Sequence, residues 1–180
     1  MAILKVDKFR SEMRLGGARA NLFNIIFAFP PYVTGGDTDL TALMCRSAAI
    51  PGSTLGVVEV PFRGRLVKLP GDRTFEPWEV TIYNDNNFSV RNFFEQWMNG
   101  MNTHEGNEGK EALTTGSGTY AQNIEVQQLD QVGTNQISYF LKNAFPSAIG
   151  QIELNYDQVT SIEEFTVTFE YDYWTNNVTQ

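Results

Sequence analysis

The sequence has one cysteine, Cys45, and one histidine, His104. A lone cysteine cannot close a disulfide within its own chain, so a disulfide scaffold is excluded and a reducing compartment is the natural reading. A lone histidine rules out a His-based triad and a multi-His metal site. Long apolar runs are missing too. The longest, Leu22 to Val33, is broken by Asn24, Pro30 and Pro31, and a bilayer span takes about 20 residues. The opening MAILKVDKFRSEMR holds no apolar stretch of signal-peptide length. The expectation is a soluble protein with no membrane anchor, made in a cytoplasm. Basic charge is scarce in the second half. Residues 76–180 carry three Lys/Arg against fifteen Asp/Glu, whereas residues 1–75 carry ten against six. The net charge of -8 makes tight phosphate-backbone binding unfavourable, because such binding needs clustered cations. The basic-then-acidic division suits head-to-tail contact between identical copies.

What is present reads as one β-rich domain. At 180 residues the chain buries roughly 70% of its unfolded surface without metal or disulfide. Thirteen Phe and seven Tyr favour strands. Residues 1–20 read as a polar arm. Strands are expected at 20–29, 40–48, about 120–129, 136–142, 150–156 and 162–174, with another where Trp78, Val80 and Ile82 alternate with Glu79, Thr81 and Tyr83. On the last strand Phe165, Val167, Phe169, Tyr171 and Tyr173 face one way; Thr166, Thr168, Glu170, Asp172 and Trp174 face the other. Residues 54–69 read as an extended β-hairpin turning near Arg63-Gly64, with Pro61 suited to an edge. Pro70-Gly71-Asp72 reads as the next turn. Val90, Phe93, Phe94, Trp97, Met98 and Met101 draw one apolar stripe on a helix over 89–100, capped by Asn87 or Ser89 and ended by Gly100. Residues 102–118 read as a flexible loop. The fold class is mainly β, an antiparallel barrel or sandwich with one flanking helix, and the core anchors are Trp78, Phe93, Phe94 and Trp97.

Chemistry is hard to find. His104 sits in the Gly-rich loop as a solvated residue, and Cys45 falls inside a predicted strand as a buried, inert thiol. The carboxylates Glu163-Glu164 and Glu170 with Asp172 read as the solvated side of a strand rather than a facing pair across a cleft. Glycines 100, 106, 109, 116 and 118 are not followed by the Gly-Lys-Ser/Thr of a phosphate loop. The chain is therefore read as no enzyme and as needing no cofactor; a small carboxylate hydrolase is the rival from another class. The charged hairpin, with Glu59, Arg63, Arg65 and Lys68, and the following Asp72 and Arg73, is read as an intersubunit element.

Four stretches carry a resemblance. They are Arg19-Ala20-Asn21-Leu22-Phe23; Cys45 through Ala49-Ile50-Pro51 and the hairpin to GDRTFEPWEVTIYND, residues 71–85; FFEQW, residues 93–97; and NAFPSAIGQIELNYD, residues 143–157, with EEFTVTFEYDYW, residues 163–174. In this order the sequence resembles the tail tube proteins of contractile-tailed bacteriophages, which are related to the tube proteins of type VI secretion. The resemblance implies a structural virion protein of the tail, assembled in the host cytoplasm. Six copies would form a ring, and stacked rings would form the inner tube for genome ejection. The implied partners are further copies of the chain, the sheath protein, baseplate and tube-initiator proteins, the tape-measure protein and a tube terminator, with DNA only in transit. The alternatives of the same fold are the baseplate tube initiator and the tube of a phage-derived contractile injection system. An acidic lumen is expected, its candidates being Glu79, Glu125, Glu153, Glu170 and Asp172 on polar strand faces.

Overall fold

The computed structural model describes residues 6–13, 17–109, 120–157 and 160–179. In chain order the elements are α1 (Val6–Glu12), β1 (Phe23–Phe27), α2 (Thr38–Met44), β2 (Cys45–Ala48), β3 (Thr54–Phe62), β4 (Arg65–Thr74), β5 (Trp78–Tyr83), α3 (Ser89–Met101), β6 (Gln122–Leu129), β7 (Asn135–Ile149), β8 (Glu164–Glu170) and β9 (Tyr173–Asn176). The fold is mainly β. Seven strands make one antiparallel sheet in the order β1-β6-β7-β8-β5-β2, with β9 added beside β7, and β3 and β4 form a separate two-stranded hairpin.

Strand β7 organises the sheet. Its first part, through Ala144, pairs with β6, and its last part, Phe145 to Ile149, pairs with β8. Asn143, at φ 55, stands where the chain passes from one partner to the other. The sheet thereby wraps around its own core. Phe27 of β1 meets Phe169 of β8 with ring centroids 6.0 Å apart, although β6 and β7 lie between their strands in the sheet. Alternation supplies that core. Trp78, Val80 and Ile82 face Phe169, Val167 and Phe165 across the β5–β8 ladder, and all six are buried. Helix α3 closes the space with Val90, Phe93, Phe94 and Trp97. Phe94 stacks edge-on against both Phe27 and Phe169, at 5.8 and 5.9 Å.

The structure corrects several sequence expectations. Residues 40–48 are not one strand: a helix occupies Thr38–Met44 and only Cys45–Ala48 is extended. Asp37 starts that helix by accepting the Leu40 amide, and Thr41 returns its hydroxyl to the Asp37 carbonyl. The strand expected at 150–156 is absent; β7 runs on to Ile149 instead, and residues 150–155 are irregular. Pro146 is accommodated at a register shift in the β7–β8 ladder. The strand expected over 162–174 breaks after Glu170, so Tyr173 is exposed while Trp174 is half-buried. Pro70-Gly71-Asp72 is not a turn but the interior of β4. Gly71 and Gly56 meet there across the ladder, where a Cβ on Gly71 would lie 3.3 Å from the Gly56 backbone.

Helix α3 also differs at both ends. Its N-cap is Phe88 at φ 56, which makes no side-chain cap. Asp85 takes that part, its Oδ1 accepting the Val90 amide at 3.2 Å. Gly100 lies inside the helix, which ends after Met101. The Tyr32 ring lies where a Cβ at Gly100 would stand, and its hydroxyl donates to the Trp97 carbonyl at 3.2 Å. Within the N-terminal arm, residues 6–12 form α1. Of the loop at 102–118, residues 102–109 form a turn bridged between Asn102 and Gly109; the remainder lies outside the described residues.

Candidate assembly surfaces

Among the described residues the hairpin stands out by its exposure. No residue from 54 to 74 is buried. The reversal is made by Arg63 at φ 46 and Gly64 at φ 80, both left-handed, as a two-residue hairpin turn requires. Pairing of Val58 with Leu69, Val60 with Val67 and Phe62 with Arg65 gives one face that is almost entirely apolar. The other face pairs Val57 with Pro70, Glu59 with Lys68 and Pro61 with Leu66. Glu59 and Lys68 form an exposed ion pair at 3.6 Å, which adds little stability in water. Arg63 lies over the Phe62 ring at 5.4 Å. Among the described residues Arg65, Asp72 and Arg73 make no ion pair.

The main path of the sheet ends in β1 and β2, each paired on one side only, and β9 is likewise paired only with β7. Strand β1 offers Asn24 and the exposed Ile26, and β2 follows directly on helix α2, whose Leu43 is 78% exposed. On the outer side of β2 and β8, Arg46 pairs with Glu164 and lies 5.8 Å from the Tyr83 ring centre. Cys45, at the start of β2, is half-buried, and burial pushes its thiol up to about 12. It is thus a poor nucleophile near neutrality.

The five acidic candidates lie in different parts of the fold. Glu79 and Glu170 stand exposed on the side of the β5–β8 sheet opposite the core, with Thr168 paired to Glu79 and two residues before Glu170. Asp172 follows the break after β8 and accepts the Asn143 amide at 2.6 Å. Glu125 belongs to the β1–β6–β7 part of the sheet. It is half-buried, accepting both the Ser138 hydroxyl and the Gln127 amide at 2.7 Å. Glu153 is exposed, but in the irregular segment 150–155 rather than on a strand. Sequence reasoning overlooked Trp174 as a contact residue; its indole N–H donates to the Gly52 carbonyl at 2.9 Å.

His104 is an exposed loop residue beside Asn99. Among the described residues, no group of three or more His, Cys, Asp or Glu is placed to hold a metal ion, and no helix is long and apolar enough to cross a membrane.

Residues 18–177 match the family described as phage tail tube protein. The tail tube protein of Serratia phage KSP90 is 28% identical over 169 residues, covering 92% of this chain and 93% of that protein. Tail tube protein gp19 of Enterobacteria phage T4 is 30% identical over 161 residues, covering 87% of this chain and 90% of that protein. Among solved structures, a chain of the anti-feeding prophage baseplate matches with a TM-score of 0.60 at 13% identity, over 88% of this chain and 94% of that one. A chain of the sheath–tube complex of the extracellular contractile injection system PVC matches at 0.57 and 14%, over 97% and 99%.

Proposed function

The chain belongs to the phage tail tube protein family, and on that premise we propose that six copies close into a ring and that rings stack head to tail as the inner tube of a contractile tail. The protein is a structural component of the phage tail. The observation that carries stacking is the β3–β4 hairpin, which buries none of its residues in its own subunit. An isolated two-stranded hairpin is marginal in water, and its apolar faces call for a cover that a neighbouring copy supplies. The unpaired edges of β1 and β2 support ring closure, because pairing edges between neighbours completes a barrel and removes exposed ladders. A repeated head-to-tail contact that does not close on itself gives a filament, and the basic-then-acidic division of charge favours it.

In this reading Glu79 and Glu170, with Asp172, are the leading lumen candidates, since DNA carries one charge per about 1.7 Å of axis and a conduit must not hold it. Glu125 is less suited, being tied to Ser138 and Gln127. The sheath, baseplate, tube-initiator, tape-measure and terminator proteins are the proposed partners. The baseplate initiator and the tube of an injection particle are the alternatives; copy number in purified particles separates the first, and neighbouring capsid or toxin genes the second.

Electron microscopy of the purified protein tests the proposal. Rings or hollow tubes are expected; a strictly monomeric protein at high concentration in every salt tested would overturn it. Deletion of residues 56–66 is expected to leave a folded subunit that does not stack. Tubes formed by that variant would assign the hairpin another role.

A further inference from the structure

The geometry points to Tyr171 and Trp174 as positioning residues that aim the β3–β4 hairpin by holding both of its feet. The hairpin joins the body at two places, residues 49–53 before β3 and Phe75 after β4. At the first foot, Trp174 Nε1 donates to the Gly52 carbonyl at 2.9 Å. Pro51 is buried just before it, and Trp78 Nε1 donates to the Ala49 carbonyl at 2.6 Å. At the second foot, the Phe75 ring packs on Tyr171 with centroids 6.0 Å apart. One short segment, 171–174, therefore touches both feet.

That segment is itself fixed to the body. Leu141 of β7 pairs with Trp174, and the Asp172 amide donates to the Lys142 carbonyl at 3.1 Å. Asn143 holds the Asp172 carboxylate, and the Trp174 ring stands edge-on to Tyr139 at 5.4 Å. A ribbon held at one foot is free to swing about it; a second, separate contact removes that rotation. Beyond the contacts at its feet the hairpin has no means of direction, because none of its residues is buried and its ladder joins no further strand among the described residues. The two contacts are chemically different, a polar bond to a backbone carbonyl and an aromatic contact, so they can be removed separately. If Trp174 served only to pack β9, its loss would lower the melting temperature and leave the hairpin's direction unchanged. The consequence for stacking rests on the proposed tube, but the aiming of the hairpin within one subunit does not.

The test uses the full chain in a Cys45→Ser background, with spin labels at Arg63→Cys on the hairpin tip and Val132→Cys on the exposed β6–β7 turn. Distances are measured below the concentration at which tubes form. Trp174→Phe keeps an aromatic ring beside Tyr139 and removes the N–H together with part of the indole, and Phe75→Leu removes the aromatic contact at the other foot. Each is expected to broaden the distance distribution while melting as a surface substitution does, and the pair together to broaden it further. Tube elongation from wild-type seeds is expected to slow by roughly five- to tenfold in Trp174→Phe, the factor that loss of one neutral hydrogen bond gives. An unchanged distance distribution in both variants overturns the inference. Broadening in the variants with no tubes from the wild type leaves the clamp standing and overturns the stacking reading instead.

Discussion

Removing Trp97 is expected to be among the most damaging single changes in the chain. Its side chain is fully buried. It lies 5.8 Å from the Phe29 ring, 6.2 Å from Phe169 and 6.5 Å from Phe94, and so joins β1's exit, β8 and its own helix. Its Nε1 donates to the Tyr120 carbonyl at 2.7 Å, which fixes the chain just before β6. Trp97→Ala empties a ring-sized space walled by aromatic rings that are packed on other neighbours, so collapse into the space is limited. The expected cost is about 3–5 kcal/mol. For a chain of this length each kcal/mol lowers the melting temperature by about 2–4 °C, so the fall is about 6–20 °C. Trp97→Phe keeps most of the packing but leaves the Tyr120 carbonyl without its donor, at a cost of about 1–2 kcal/mol. Thermal unfolding followed by circular dichroism, together with urea midpoints at subunit concentrations below assembly, reads both. A Trp97→Ala shift no larger than a surface mutation's, or one equal to that of Trp97→Phe, would refute the reasoning.

Three smaller predictions follow from the same packing and titration arguments. Gly100→Ala is expected to destabilise by about 1–3 kcal/mol through collision with the Tyr32 ring, despite alanine's better helix propensity, and Tyr32→Leu in the same chain should recover part of it in urea unfolding. Asp85→Asn should cost about 1 kcal/mol at neutral pH. Burial opposes the charged form of Asp85, but the Ser89 and Val90 amides and the Ser89 hydroxyl outweigh it, so its folded pKa is depressed. The wild-type advantage should therefore be complete above the unfolded value of about 3.9 and vanish as pH falls through the lower folded value; an advantage unchanged at still lower pH would contradict this. Cys45, with its thiol near 12, should be alkylated at pH 8 far more slowly than a free thiol and at an ordinary rate in urea, as mass spectrometry can follow.

Much of the sheet was legible because side-chain alternation is a local signal. Trp78 through Tyr83 and Phe165 through Phe169 show their buried and exposed sides residue by residue, and the two runs pair with each other. The stripe of α3 was equally plain, since four aromatic or β-branched positions at helical spacing are all buried. The errors occurred where a local signal was overruled or too short. Leu40 to Ala48 is apolar enough for a strand, yet Asp37 at the N-cap, with Leu40 and Met44 spaced for one face, makes a helix of seven residues. The strand expected at 136–142 stops short of Asn143 and Pro146, but a bent, bulged strand absorbs both and changes partners there. The acidic positions were legible only through strand parity. Parity along β5 and β8 puts Glu79 and Glu170 on one side, but which parts of a wrapped sheet share an outer surface is a property of the whole topology.

The hairpin shows why an exposed apolar ribbon is hard to tell from a core strand by local pattern alone. Its valines, leucines and Phe62 carry the same alternating apolar pattern as a core strand, and nothing local distinguishes a side chain waiting for a neighbour from one already covered. The distinguishing fact is global: all the core positions of the sheet are filled without it. A subunit that exposes such a ribbon risks indiscriminate association. The net charge of -8 works against that, since copies repel at long range, while the basic first half meeting the acidic second half admits one orientation. On the proposed stacking, salt should therefore act in two directions. Screening over about 8 Å at physiological strength weakens the general repulsion between subunits, and it also weakens the oriented attraction. Burial of the hairpin's apolar faces depends on neither. Once a contact forms it is held mainly by that burial, so salt is expected to change the rate and fidelity of assembly more than the stability of a finished tube.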